Sequence, residues 1–215
     1  MTKDELRQDP VLERIQSLLR LGERHSRWLI GGLIVIVAVI VGVGALHRAQ
    51  LRGQREGARY LAEAQASYLR GNLSAAESQL RQVVDSYGGT AAGQMARVYL
   101  GDVLQALGRT DEALRLYEKE TGSDNPVLRT AALRGSAAAL EDLGRFAEAS
   151  QAYERASAAA PFLEADDLIG AGRTALKAGD AARAKGFFEQ AQKKVGSERF
   201  AEIALLQAEA EAAQR

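Results

Sequence analysis

The chain of 215 residues contains no cysteine, so disulfides, thiol chemistry and cysteine-based metal sites are all excluded. It has only two histidines, His25 and His47, and they lie on either side of a long apolar run. They therefore cannot meet in a catalytic dyad, and no carboxylate pair falls in an evidently apolar setting. A metal site is not expected either, and no cofactor and no enzymatic activity are implied. Charge of one sign is also missing: 28 Lys and Arg balance 28 Asp and Glu. Nucleic acid is thus not an expected partner, because phosphate binding requires a net basic face. The three prolines, at 10, 126 and 161, are too few to interrupt more than the ends of helices.

What the chain does have is one long hydrophobic run, Trp28 to Leu46, with no charged residue. Nineteen residues in a helix reach about 28 Å, close to the roughly 30 Å hydrocarbon thickness of a bilayer. Twelve are Leu, Ile or Val, whose summed insertion preference of about 4 to 7 kcal/mol outweighs the four glycines. A transmembrane helix is expected over 28–46. Val43 and Ala45 suit a signal-peptidase site, but the apolar run is too long and the preceding tail too long and acidic for a cleaved leader.

Residues 1–27 form an N-terminal tail in which Asp9-Pro10 reads as a helix start. Val11, Leu12, Ile15, Leu18 and Leu19 follow at the spacing of a short amphipathic helix, able to lie on lipid, to pack on a partner's cytosolic helix or to serve only as a lead-in to the anchor. Arginines 14, 20, 24 and 27 before the span are matched by 48, 52, 55 and 59 after it, so the positive-inside count leaves orientation tied. Residues 47–56 read as a juxtamembrane linker.

From residue 57 onward helix formers dominate and an internal period emerges. Gly71, Gly108, Gly144 and Gly179 are each followed five residues later by Ala76, Ala113, Ala149 and Ala184, and nine residues later by Leu80, Tyr117, Tyr153 and Phe188. Seven residues before each glycine stands Ala64, Gly101, Ala137 or Gly172. Glycine ends one helix in a left-handed cap, small residues let two helices approach, and the large residue fills the space between successive hairpins. Pro161 and, in a shifted position, Pro126 are expected to stop the second helix of a hairpin. Gly170 to Ala175 also matches a dinucleotide fingerprint, but no strand precedes it, and a packing role for its glycines is expected.

These spacings, with segments 100–120 and 139–156, resemble the tetratricopeptide repeat. The expectation is an all-α fold: one transmembrane helix, then an α-solenoid of about four hairpins over 57–215. Repeats are placed at about 57–93, 94–129, 130–164 and 165–198, with a capping helix at 199–213 carrying Phe200, Ile203, Ala204 and Leu206 on its inner side. Glu63, Ser67, Thr110 and Glu120 depart from the repeat's usual residue types. In such arrays the first helices line a concave groove for peptides or partner helices. The repeat register assigns Gln65, Tyr68, Tyr99, Asp102, Gln105, Arg134, Glu141 and Arg173 to it, a set of mixed charge. The lysine and asparagine set that holds C-terminal carboxylates in cochaperones is absent.

The layout of tail, single span, basic stretch and alanine-rich array, with its specific part at residues 87–150, resembles the bacterial YfgM-like family of ancillary Sec translocon subunits. That resemblance implies an inner-membrane protein with a cytoplasmic tail and a periplasmic repeat domain whose partners are the translocon and exported proteins. The other arrangement compatible with the residues is a cytosol-facing, membrane-tethered scaffold for complex assembly.

Overall fold

The computed structural model describes residues 10–196 and 199–213, with side chains from residue 30 onward. The described secondary structure is helical throughout, with no strand among those residues. The helices are α1 (Pro10–Leu69), α2 (Leu73–Tyr87), α3 (Ala91–Ala106), α4 (Thr110–Glu118), α5 (Pro126–Asp142), α6 (Phe146–Ala159), α7 (Glu164–Lys177), α8 (Ala181–Gln192) and α9 (Phe200–Ala212). Contacts divide the chain into two units, one ending at Arg52 and one beginning at Gly53.

In the first unit the backbone is helical from Pro10, and the window Ile30–Leu69 contains a stretch with the length and composition to cross a membrane. Every large apolar side chain from Ile30 to Leu46 is exposed, from 51% at Val37 to 73% at Leu46. An exposed apolar stretch of this extent marks a surface that something covers. The amphipathic face expected over residues 11–19, and the side chains of His25, Trp28 and Leu29, lie outside the described residues. Residues 47–56 are helical.

The second unit is a succession of helical hairpins: the end of α1 with α2, then α3–α4, α5–α6 and α7–α8, closed by α9. Gly71, Gly108, Gly144 and Gly179 all adopt φ between 72° and 82°, the left-handed conformation expected at the turn of each hairpin. Ala76, Ala113, Ala149 and Ala184 are fully buried, as are Leu80 and Phe188, and Tyr117 nearly so. Tyr117 lies against both Gly101 of its own hairpin and Gly135 of the next. Packing of hairpin against hairpin is thus carried by rings seated where a Cβ is missing. Gly170 and Gly172 serve the same purpose for Tyr153 and Phe188 inside α7, which accounts for the apparent dinucleotide fingerprint.

Two local expectations need correction, and one departure from the repeat pattern finds its explanation. Helix α4 already ends at Glu118, so Pro126 does not stop it; Pro126 opens α5, with Asn125 Oδ1 accepting from the amides of Val127 and Leu128. Glu120, which departs from the repeat's usual residue type, is 3% exposed and is accommodated by pairing with Arg97 of α3, which also donates to the Gly88 carbonyl at 2.9 Å. On α9 the buried residues are Ile203 and Ala210, with Leu206 half-buried; Phe200 and Ala204 are exposed, so the inner side is rotated from the expected one.

The core falls into two clusters. One runs from Leu61 through α2 to α6, the other joins α7, α8 and α9, and Tyr153 packs against both.

Candidate functional site: the concave groove

A groove of about 760 Å³ lies between α3, α5 and the end of α6. Its position follows from helical periodicity. Val98, Asp102 and Gln105 lie on one face of α3, and Val127, Thr130, Ala131, Arg134 and Ala138 on one face of α5. The far wall is Tyr153 of α6 with the short 3-10 turn Pro161–Leu163, where Phe162 projects at 82% exposure.

Most of this lining is apolar, and the polar groups in it are largely engaged. The Tyr117 hydroxyl donates to Asp102 Oδ1 at 2.7 Å, and Gln105 Nε2 donates to Asp142 Oδ2 at 2.5 Å. Burial raises the Asp102 carboxyl above the usual carboxylate range, with the Tyr117 hydrogen bond pulling it back. The same burial, reinforced by the Asp102 charge, pushes the Tyr117 hydroxyl far up, so it remains a neutral donor. Thr130 is 5% exposed and its hydroxyl oxygen has no hydrogen-bond partner.

Arg134 Nη1 stands 3.4 Å from Asp167 Oδ1, and Asp167 is fully buried. Neither Asp167 oxygen is hydrogen-bonded. Burial pushes the Asp167 carboxyl up to about 6 against the opposing pull of Arg134, and Asp166 adds to the rise.

Of the eight residues that the repeat register assigned to the groove, Asp102, Gln105 and Arg134 line this hollow. Tyr68 and Tyr99 form a separate edge-to-face pair, 6.3 Å between ring centroids, and both are half-buried. Asp102 raises the Tyr68 hydroxyl, after burial, which puts that pair within electrostatic reach of the groove. Gln65 is half-buried on α1. Glu141 is occupied by Lys177 at 2.5 Å, and Arg173 is exposed and outside the hollow. The register missed Val127, Thr130, Tyr153 and Phe162. The α5 residues could have been found by stepping three and four residues back from Arg134; Phe162 carries no periodic signal at all.

Comparison with known proteins agrees with this architecture. The tetratricopeptide repeat-like domain family matches residues 53–169, more than half of the chain. No curated protein matches. Among solved structures, pilF of Pseudomonas aeruginosa is similar at 24% identity and a TM-score of 0.59, over 76% of this chain and 71% of that one. A tetratricopeptide repeat protein from Parabacteroides merdae is similar at 17% identity and a TM-score of 0.63, over 76% of this chain and 60% of that one. The nearly identical repeats of a putative kinesin light chain from Podospora anserina give 22% identity and a TM-score of 0.58, over 73% and 85% of the two chains. At these identities the structural likenesses speak for the fold alone. With its left-handed glycine turns, ring-in-glycine packing and concave groove, the chain belongs to the tetratricopeptide repeat-like domain family, whose fold is generally a non-catalytic scaffold for protein–protein interaction.

Proposed function

We propose that this protein is a membrane-anchored interaction module whose groove holds segments of exported or envelope proteins, as an ancillary, chaperone-like factor at the translocon. The observation that carries this reading is the pairing of an apolar, groove-bearing repeat unit with a fully exposed apolar helical stretch near the N-terminus. The resemblance to the YfgM-like layout supports a cytoplasmic tail and a periplasmic repeat domain, a choice that the balanced arginines leave open. In this reading Asp102, Gln105 and Arg134 contact the bound segment, with Tyr68 and Tyr99 extending the surface and Gln65, Glu141 and Arg173 at its margins. Anchoring raises the effective concentration of a weak, tolerant groove beside the channel.

Two measurements test it. A reporter fused after Arg215 should be active only when periplasmic. Crosslinking in intact cells from a photoreactive residue at Phe162 or Tyr99 should recover translocon subunits and assorted exported chains. A cytosol-active reporter and capture of one cytosolic protein would favour the tethered scaffold instead.

A further inference from the structure

The charge arrangement at the floor of the groove goes one step further, and this step rests on the groove-binding reading above. Among the described residues Arg134 is the only arginine or lysine lining the hollow, and the anion it pairs with is not a solvated surface group but Asp167, fully buried on α7. A carboxylate removed from water and left without hydrogen bonds is tolerated only beside a compensating cation. Arg134 is therefore held to Asp167 and is electrostatically spent before any ligand arrives. Asp102 adds a further carboxylate to the lining, with only the neutral Tyr117 hydroxyl as donor. Counting Arg134, Asp167 and Asp102, the groove presents no net positive charge to an occupant. Its walls are Val98, Val127, Ala131, Tyr153 and Phe162, and its 760 Å³ lies within the roughly 300 to 1,000 Å³ typical of ligand pockets.

We infer that Asp167 sets the charge selectivity of this groove: by holding Arg134 in an internal pair, it makes the site take uncharged peptide segments bearing adjacent large apolar side chains and turn away acidic ones. Asp167 does not touch the occupant. It is a positioning residue acting through Arg134. A change at Asp167 should accordingly alter the sign of charge that the groove prefers while leaving apolar binding in place. The groups facing Asp167 are Arg134 from α5, Tyr153 from α6 and Asp166 on its own helix. Of these only Arg134 lines the groove with a full charge.

The test uses the full chain in detergent micelles and three short, terminally blocked peptides labelled with an uncharged fluorophore. Each carries adjacent leucines; the flanks are serine in the first, cysteic acid in the second and lysine in the third. The sulfonate stays ionised throughout the pH range used. Wild-type protein at pH 7.5 should bind the serine peptide more tightly than the sulfonate peptide. In Asp167→Asn, sulfonate binding should strengthen about fivefold and lysine binding weaken by a similar factor, as expected for one partly screened charge, with serine binding unchanged within about twofold. In the double variant Arg134→Gln/Asp167→Asn the sulfonate gain should vanish. Lowering wild-type protein from pH 7.5 to 5 should reproduce the sulfonate gain without any substitution, which keeps the inference testable if Asp167→Asn folds poorly. Equal loss of all three peptides in a folded Asp167→Asn, or an unchanged ratio at both pH values, overturns it. Failure of wild-type protein to bind any of the peptides would instead remove the groove-binding reading itself, and this inference with it.

Discussion

Tyr117 of α4 lies so close to Gly135 of the next hairpin that a Cβ at position 135 would run into its ring. Tyr117 is 1% exposed and also lies against Gly101, so the ring cannot swing aside. Gly135→Ala should therefore destabilise the repeat unit by about 1 to 3 kcal/mol despite the better helix propensity of alanine. Gly186, inside α8, has open space where its Cβ would stand. Gly186→Ala should stabilise by roughly 0.5 to 1 kcal/mol. Thermal unfolding of both variants checks the pair, and shifts of the same sign would refute the ring-in-glycine account.

The Arg97–Glu120 pair ties α3 to the turn after α4, and the Glu120 side chain is 4% exposed. Removing one partner strands the other, so Glu120→Ala should cost about 3 to 5 kcal/mol. The double change Arg97→Met/Glu120→Leu should recover most of that loss. Urea unfolding of the two variants measures the difference, and a loss in the double variant as large as in Glu120→Ala contradicts the prediction.

Asp167 should leave a mark on stability as well as on binding. Its carboxyl titrates at about 6 in the folded protein, above the ordinary value of 3.8. The folded state thus holds this proton more tightly than the unfolded chain. The stability linked to it is fully present below about pH 4 and is lost as pH rises through 6. Glu77, Glu112 and Glu148 are lowered and act in the opposite direction. The Asp167 part is isolated by comparison with Asp167→Asn: between pH 4 and 7 the wild type should lose up to about 3 kcal/mol relative to the variant. Parallel stability curves for the two proteins would exclude the shift.

Val37 sits within the exposed apolar sleeve. Val37→Arg should add about 2.5 to 3.5 kcal/mol to insertion and move the protein toward the carbonate-soluble fraction. A wild-type chain already extracted by carbonate would argue against a span.

Ala113 and Ala149 are fully buried at helix contacts. Phenylalanine at both positions should overpack the hairpins and destabilise the repeat unit by about 1 to 3 kcal/mol per site, which a lowered melting temperature would register.

By itself the sequence determined the features that act over a few residues. The four glycines take the left-handed turn that glycine alone adopts at little cost where a helix ends and the chain reverses. The small and large residues at fixed offsets from them had to face one another because a helix repeats every 3.6 residues. The exposed apolar sleeve was legible for the same reason: nineteen uncharged residues in a row need no neighbour to declare their preference. Only the tertiary structure decided which side chains meet across hairpins. Asp167 and Arg134 are far apart in sequence, on different hairpins, and their pairing depends on how α5 and α7 pack. Phe162 reaches the groove from a short 3-10 turn with no period to read, and Glu141 is drawn away from it by Lys177 on α7. The α9 face likewise depends on its seat against α8, which buries Ile203 and leaves Phe200 out. Local propensity sets where helices start and stop, whereas the stagger of one hairpin on the next sets what the groove contains.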